Sequence, residues 1–198
     1  MLKRIASYYL RKKQVAVNND LIKKGILSVG KNSNIDNLEI SIAAEQNNNS
    51  LNICIGDDCI INCKIIIYNS NAKVRIGNRV YIGPQTSLFC NEMITIEDDI
   101  LFSWGITVID TNAHALDFED RKMDVVNWQK GIKDWSKVKN APVHIRSKSW
   151  IGFNSIITKG VTIGEKAVIG CGSVVVNNVP DNSVAGGNPA TIIKKNES

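Results

Sequence analysis

Aliphatic residues recur at every sixth position towards the C-terminal end of the chain. The members of this series are Ile145, Ile151, Ile157, Ile163, Ile169 and Val175. A small or short side chain stands two residues before each member from Ile151 onward, at Ser149, Ser155, Val161, Ala167 and Ser173. A helix repeats about every 3.6 residues and a half-buried strand about every two, so neither explains this spacing. Short strands joined by corners do explain it, and the pattern therefore predicts a β-solenoid.

The same spacing runs more weakly through the middle of the chain. Its members there are Ile55, Ile61, Ile67, Ile76, Ile82, Leu88, Ile96, Phe102 and Val108. We interpret its interruptions as bulges or longer corners, and we expect irregular coils from Ser28 to Ser50. Gly152, Gly164 and Gly170 follow aliphatic members where the backbone should leave a strand. Glycine tolerates the unusual dihedral angles that such a corner demands.

The N-terminal residues predict an amphipathic helix, which we place within residues 1–27. Its apolar stripe consists of Leu2, Ile5, Ala6 and Tyr9, at helical spacing. Such a helix is expected to cap the first coil, whose strand edges need protection. The alternative is a weak contact of residues 1–13 with an anionic membrane surface, because basic residues far outnumber acidic ones at this end.

Composition restricts the function classes. A chain of 198 residues with 43% hydrophobic content suits one domain with an appended element. We find no stretch that could span a membrane and no signal-peptide pattern, so a cytoplasmic protein with five free cysteines is expected. The net charge of +5 is concentrated before Gly25 instead of along the solenoid, which argues against nucleic-acid binding.

The sixfold pattern stops at one long interruption. Residues 110–141 contain no member of the series, so we predict a loop extruded from a β-helical domain of residues 28–195. Long loops on a rigid scaffold often carry function. This loop contains His114, Trp128 and Trp135. It is therefore the candidate active site.

The residues from Pro142 to Lys195 resemble the C-terminal signature of the hexapeptide-repeat acetyltransferases, the family of galactoside, maltose and serine acetyltransferases. The similarity is carried by WIGFNSIITKGVTIGEKAVIGCGSVVV and by the ending PDNSVAGGNPA. It implies a left-handed β-helix of triangular section, assembled as a homotrimer that uses acetyl-CoA. The stretches WGITVIDTNAH and DFEDRKMDVVNW are more similar to acetyltransferases of surface-polysaccharide biosynthesis, which implies a carbohydrate acceptor and transfer to a sugar hydroxyl.

Acetyl transfer to a hydroxyl group requires a base, and histidine suits this role near neutral pH. His144 precedes Ile145 in the aliphatic series and is expected to point outwards. His114 lies where the resemblance implies the catalytic histidine, so we predict that it is the general base. Asp110 and Asn112 alternate with it and would share its face in an extended segment. Either could then orient the imidazole.

The loop also carries the candidate contacts to the acceptor. Trp128 and Trp135 offer aromatic faces, and Arg121 and Asp124 offer polar groups, a mixture common in carbohydrate sites. Each of them could instead anchor the loop to a neighbouring subunit. Asp117 and Asp124 are further alternatives for the residue that orients the base.

The resemblance implies that acetyl-CoA lies in a groove between adjacent solenoids. Carried over by position, its contacts are Gly152, Phe153, Cys171, Val176, Asn177 and Lys194. Galactoside enzymes carry Thr-Lys where this chain has Val176 and Asn177. Lys194 or Lys195 is therefore expected to supply the cationic contact to the nucleotide. We assign Trp150 to packing within the trimer.

Two alternatives stay open beside a sugar O-acetyltransferase. One is N-acetylation of an amino sugar or nucleotide-sugar, with the same fold and base. The other is a non-catalytic solenoid that serves as an assembly surface. A zinc carbonic anhydrase of the same fold would need three histidine ligands, whereas this chain contains two histidines, so no metal is expected.

Overall fold

The computed structural model describes residues 2–43 and 52–195, and for residues 2–11 the backbone alone. The helices are α1 (Leu2–Lys23), α2 (Phe118–Arg121) and α3 (Asp124–Gln129). The strands are β1 (Leu27–Val29), β2 (Glu39–Ile42), β3 (Ile53–Ile55), β4 (Ile60–Ile67), β5 (Lys73–Ile76), β6 (Tyr81–Cys90), β7 (Met93–Ile96), β8 (Leu101–Phe102), β9 (Thr107–Ile109), β10 (Val143–Ile145), β11 (Trp150–Ile151), β12 (Ile156–Ile157), β13 (Thr162–Ile163), β14 (Val168–Ile169), β15 (Val174–Val175), β16 (Ser183–Gly187) and β17 (Ala190–Lys195).

Strand pairing arranges these elements in three stacked ladders. The first is a six-stranded sheet with the order β1-β3-β5-β7-β10-β13. The second (β4, β6, β8, β11, β14, β16) and the third (β2, β4, β6, β9, β12, β15) belong to one sheet, because β4 and β6 continue around a corner and join both. The coils pair in parallel, and the antiparallel β16–β17 hairpin follows the last of them. The predicted all-β solenoid is confirmed.

The sixfold aliphatic series forms the core of this solenoid. Along the second ladder, successive pairing partners are Ile82, Phe102, Ile151 and Ile169. Each of these side chains is at most 1% exposed. The small residues two positions earlier, such as Ser155, are buried as well. Because parallel coils place equivalent positions above one another, the repeat in sequence becomes a continuous column of apolar side chains.

One early member of the series is displaced from its expected position. The spacing selected Ile67, six residues after Ile61, but the residue that pairs with Leu88 is Ile65. The pairing of β4 with β6 shifts after Ile61, because β6 contains two more residues at the corner between the ladders. Ile67 is nevertheless buried, so the slip changes the ladder without opening the core.

The corner glycines have a different role from the predicted one. Gly152, Gly164 and Gly170 are not among the residues with positive φ. A Cβ added to Gly152 would lie 2.7 Å from the backbone nitrogen of Cys171, one coil away. At that corner the left-handed conformation belongs to a polar residue, Asn154, with a φ of 55°. Close approach of the next coil, and not the dihedral angle, therefore requires Gly152.

Helix α1 packs its C-terminal half against the first coil. Asn18 is buried, and its side-chain amide donates to the carbonyl oxygen of Leu38 at 3.0 Å. Leu21 packs against the core. These contacts support the capping role. The apolar stripe of Leu2, Ile5, Ala6 and Tyr9 lies outside the described side chains.

The first coil is regular where it is described. Strand β1 begins at Leu27, and β2 pairs in parallel with β4 over four residues. The prediction of irregular coils is therefore wrong for residues 28–43, and its remaining part, residues 44–50, lies outside the described residues. Among the helices described, we find none with the length and apolarity needed to cross a membrane.

The excursion of residues 110–141 leaves the solenoid at one corner and returns to it, as predicted. Its two ends are joined by an antiparallel bridge between Thr111 and Asn140. The backbone N–H of Ala141 also donates to the carbonyl oxygen of Asp110 at 2.9 Å. The loop is therefore closed at its base, and the column of coils continues beyond it with β10.

We expect Ile151→Ala to lower the free energy of unfolding by about 2–5 kcal/mol, because it opens a cavity in the middle of the column. Ile132→Ala, at a loop position that is 55% exposed, should change it by less than about 0.5 kcal/mol. Urea denaturation monitored by circular dichroism measures both. Equal effects of the two variants would contradict a core built on this column.

Candidate active site

Asp110 begins the loop, and its carboxylate holds the backbone of the preceding coil. It is fully buried and accepts the N–H groups of Asn91 at 2.7 Å and Glu92 at 2.8 Å. Burial, together with the neighbouring Asp110, raises the pKa of the Cys90 thiol, which therefore stays protonated. The prediction that Asp110 orients His114 is wrong, because both of its carboxylate oxygens are bonded elsewhere.

Two further polar candidates also have other partners. The backbone N–H of Asn112 donates to the carbonyl oxygen of Lys139 at 2.9 Å, while Asn112 lines a cavity beside His114. The Asp117 side chain accepts the N–H of Glu119 at 2.8 Å and caps α2. Among the described residues, the carboxylate paired with His114 is a different one.

His114 is paired with Asp124, the first residue of α3. Nδ1 of His114 lies 2.5 Å from Oδ2 of Asp124. The hydrogen bonds from His114 and from Lys133 hold the pKa of Asp124 below its usual value, so this carboxylate is ionised and can only accept. In the neutral imidazole Nδ1 then carries the hydrogen, and Nε2 presents its lone pair. Asp124, expected either as an acceptor contact or as an alternative partner of the histidine, is the carboxylate that pairs with the imidazole.

Lys133 completes this group, and the sequence analysis missed it. Its ammonium lies 3.0 Å from Oδ2 of Asp124 and 3.4 Å from Nδ1 of His114. It also lies over the rings of Trp128 and Trp135, at 5.1 and 5.4 Å from their centroids. Lysines are frequent in this loop, and no spacing distinguishes Lys133 from the others.

An aromatic cavity of about 280 Å³ lies on one side of His114. Its lining residues are Ala43, Tyr68, Ala113, His114, Trp128, Lys133 and Trp135. Tyr68 comes from the solenoid, and its ring lies 5.1 Å from that of Trp135. The loop therefore folds back over the corners of earlier coils. The ring of Trp128 lies 5.0 Å from that of His114, and Trp135 lines the same cavity.

A second, wider cavity of about 710 Å³ also contains His114. Its lining residues are Asn112, His114, Ala115, Leu116, Phe118, Arg121, Lys122, Asp124 and Val125. The Arg121 guanidinium donates to the carbonyl oxygens of Ala115 and Leu116 and lies over the Phe118 ring. Arg121 thus lines the cavity and also holds the path of the loop.

The predicted cofactor positions fall at two corners and on the last strand. Gly152, Phe153 and Cys171 share the corner between the second and third ladders, where the N–H of Gly172 donates to the Phe153 carbonyl at 2.8 Å. Exposed Val176 and Asn177 lie at the next corner, after β15. Exposed Lys194 lies on β17 and pairs with Val184. The first of these corners is not the one from which the loop of His114 emerges.

An exposed aromatic pair marks the corner of Gly152. The rings of Trp104 and Phe153 are stacked, with centroids 4.9 Å apart and planes 3° apart. Half of the Trp104 surface is exposed. Sequence reasoning singled out Phe153 but not Trp104, because the two residues become neighbours only when their coils stack.

His144 points outwards, as its position before Ile145 predicts. Its Nε2 lies 2.7 Å from Oε1 of Glu97 on the neighbouring coil. Oε2 of the same carboxylate accepts the N–H and the hydroxyl of Ser147. His144 therefore belongs to an exposed network on the first ladder and serves as a natural control for His114.

Known proteins share much of this sequence, although no family model matches it. The galactoside O-acetyltransferase of Escherichia coli (strain K12) is 28% identical over 130 residues, 66% of this chain and 58% of that protein. The galactoside O-acetyltransferase of Lactococcus lactis subsp. lactis (strain IL1403) is 30% identical over 141 residues, 71% of this chain and 62% of that protein. This chain thus spans less than two thirds of these curated relatives.

A solved hexapeptide-repeat acetyltransferase from Vibrio cholerae O1 biovar eltor, complexed with acetyl coenzyme A, has the same fold. It aligns with a TM-score of 0.57 and 20% identity over 100% of this chain and 80% of that chain. The chain belongs to the hexapeptide-repeat acetyltransferase family.

The hexapeptide-repeat family resemblance drawn from the WIG repeats is thereby confirmed. AntD, an N-acyltransferase from Bacillus cereus solved with dTDP and 3-hydroxybutyryl-CoA, is a further similar structure. Its TM-score is 0.66 at 26% identity, over 90% of this chain and 88% of that chain.

We expect Asp110→Asn to lower the free energy of unfolding by about 1–3 kcal/mol, because an amide offers one acceptor oxygen to two backbone donors. Asp120→Asn, at an exposed loop position, is the matched control and should have little effect. Denaturant midpoints measure the difference. An unchanged midpoint in Asp110→Asn would show that this carboxylate does not hold the base of the loop.

Proposed function

We propose that this chain is an acetyl-CoA-dependent O-acetyltransferase that acts on a sugar hydroxyl in surface-polysaccharide biosynthesis, in the cytoplasm. The observation that carries the proposal is the pairing of His114 with Asp124 at 2.5 Å, between two cavities. Family membership supports the reaction class, and the aromatic residues around the histidine support a carbohydrate acceptor.

The histidine acts as the general base in direct transfer. Nε2 of His114 takes the proton of the acceptor hydroxyl, and the oxygen attacks the thioester carbonyl. The tetrahedral intermediate collapses, the carbon–sulfur bond breaks, and the CoA thiolate leaves with the proton returned by the imidazolium. Asp124 stabilises the imidazolium that forms between these steps, because its carboxylate accepts from Nδ1.

Acetyl-CoA would lie along the corner that carries Gly152, Phe153 and Cys171. Phe153 and Cys171 are exposed there, which suits contact with a pantetheine arm. Val176 and Asn177 offer no charge to the phosphates, whereas Lys194 is an exposed cation on β17. When bound, the donor supplies the activated acetyl group and the thiolate leaving group.

A homotrimer would complete this site. Outward-pointing residues of the second ladder form an apolar row of paired positions: Ile60, Tyr81, Leu101, Trp150, Val168 and Val184. Leu101 is 55% exposed and Trp150 is 50% exposed, an arrangement that favours burial against another copy. A neighbouring solenoid could also bring the donor corner of one copy to His114 of the next.

The acceptor would bind against the loop. Trp128 and Trp135 border the aromatic cavity, and Arg121 borders the wider one. Aromatic faces beside a basic group are suited to a sugar ring with polar substituents.

N-acylation of an amino sugar is the second candidate. It is favoured by the similarity to AntD, an N-acyltransferase solved with bound dTDP. The same base would then remove a proton from an amine or from the ammonium formed on attack.

We expect His114→Ala to lower turnover by about 10²- to 10⁴-fold, because general-base assistance is lost. His144→Ala should leave turnover unchanged, since that ring is paired with Glu97 on another ladder. Release of free thiol from acetyl-CoA, measured with separate panels of hydroxyl and amino sugars, reports the activity and separates O- from N-transfer.

Thermal stabilisation by CoA provides the second readout of that experiment. His114→Ala should retain it, because a ligand that binds only the folded state raises stability whether or not the base is present. If the wild type shows neither stabilisation by CoA nor thiol release, that result would instead support a non-catalytic solenoid.

We expect Trp150→Asp to convert the assembly to monomers, because a buried carboxylate without a partner is costly at an apolar interface. Ile193→Asp, at an exposed apolar position outside the row, should keep the wild-type mass. Sedimentation velocity measures both. A monomeric wild type would contradict the trimer.

A further inference from the structure

Lys133 is held at the centre of the candidate site. Its side chain is only 16% exposed, and its ammonium donates to the same Oδ2 of Asp124 that accepts from His114. Lysine is seldom buried without a partner, because removing an ammonium from water is costly. Here one carboxylate oxygen serves both the imidazole and the ammonium.

Aromatic rings around Lys133 fix the position of its ammonium group. Its ammonium lies within cation–π distance of the Trp128 and Trp135 rings. Trp135 in turn packs on Tyr68, which belongs to the solenoid. The ammonium is therefore tied to the rigid column through an aromatic contact, while Asp124 and His114 are both carried by the loop.

This arrangement has an electrostatic consequence for the base. Asp124 by itself favours the imidazolium form of His114, since opposite charges attract strongly at such a distance. An imidazolium cannot accept a proton. The positive charge of Lys133, 3.4 Å from Nδ1, opposes that effect and favours the neutral ring.

The other charged and titratable groups around the histidine cannot replace this contribution. Arg121 of α2 is bonded to backbone carbonyls, and Lys122 is paired with Glu119. Tyr68 is the titratable group that the solenoid contributes to the aromatic cavity, and burial raises the pKa of its hydroxyl, so it stays neutral. Asp134, the next residue along the chain, adds a further negative charge near Lys133 and Asp124.

We propose that Lys133 is a positioning residue for the base: it fixes Asp124 by sharing Oδ2 with the imidazole, and its positive charge disfavours the imidazolium form of His114. This inference rests on the proposed function for its catalytic meaning. The effect of Lys133 on the protonation of His114 does not depend on the reaction, and it is measurable without any substrate.

The test compares Lys133→Met, which keeps the length of the side chain and removes its charge, with Lys133→Arg, which keeps the charge. The imidazole signals of the two histidines are followed by NMR between pH 5 and 9 (about the range in which histidine titrates), and His114→Ala assigns them. In Lys133→Met we expect the midpoint of His114 to rise by about one pH unit. His144, on another ladder, is the internal reference and should not move.

The same variants are assayed for kcat/KM against pH. Lys133→Met should move the acidic limb to higher pH by about the same amount, with a loss of about tenfold on that limb, well below both midpoints, that recovers in alkaline solution. Lys133→Arg should restore the wild-type profile, and Lys137→Met, at an exposed position in the same loop, should not alter it.

A His114 midpoint that is the same in wild type and Lys133→Met, with activity lowered equally at every pH, would overturn the proposal and leave Lys133 a packing role only. A shifted midpoint in a chain that releases no thiol from acetyl-CoA would uphold the electrostatic role and refute the proposed function instead. The two failures are therefore distinguishable.

Discussion

The stacking of each coil directly on the one before it is the constraint on which the rest of the molecule depends. Parallel coils satisfy one another's backbone groups and bury one another's inward side chains, so every inward position is repeated at the same height interval along the axis. The contact at Gly152 shows how tight this is, since a single added carbon would meet the backbone of the next coil. Additional residues can then leave the column only at a corner, and residues 110–141 do so.

A rigid column also gives the loop a fixed reference at several points. Asp110, the first residue of the loop, is fastened to the backbone of the preceding coil, and the bridge of Thr111 to Asn140 closes the base of the loop. Farther along the loop, Trp135 returns to Tyr68 on an earlier coil. The histidine lies between these attachments, so its position is determined by the solenoid even though no strand carries it. This is the usual division between a stable scaffold and the loop that performs its chemistry.

The chemistry of the candidate site is a balance of charges. An ionised carboxylate pairs with the imidazole and would stabilise it after proton transfer, and an ammonium shares the same carboxylate oxygen. The corner of Gly152, where we propose that the donor binds, is not the corner from which the loop of His114 emerges. In the proposed trimer, the apolar row around Trp150 would therefore serve assembly and bring together two halves of one site.

Spacing and residue type determined the solenoid and the position of the loop, because inward positions repeat. They also indicated that His144 points outwards, whereas the choice of His114 depended on the family resemblance. They did not determine the slip from Ile67 to Ile65, since the extra corner residues belong to β6 and not to β4. Asp124 was one of several plausible carboxylates in the loop. Only the fold of the loop decided between them, because α3 brings Asp124 to the imidazole while Asp110 turns into the solenoid. Partners such as Lys133 and Tyr68 became visible only in three dimensions, since their contact to the histidine depends on the path of the chain and not on any period within it.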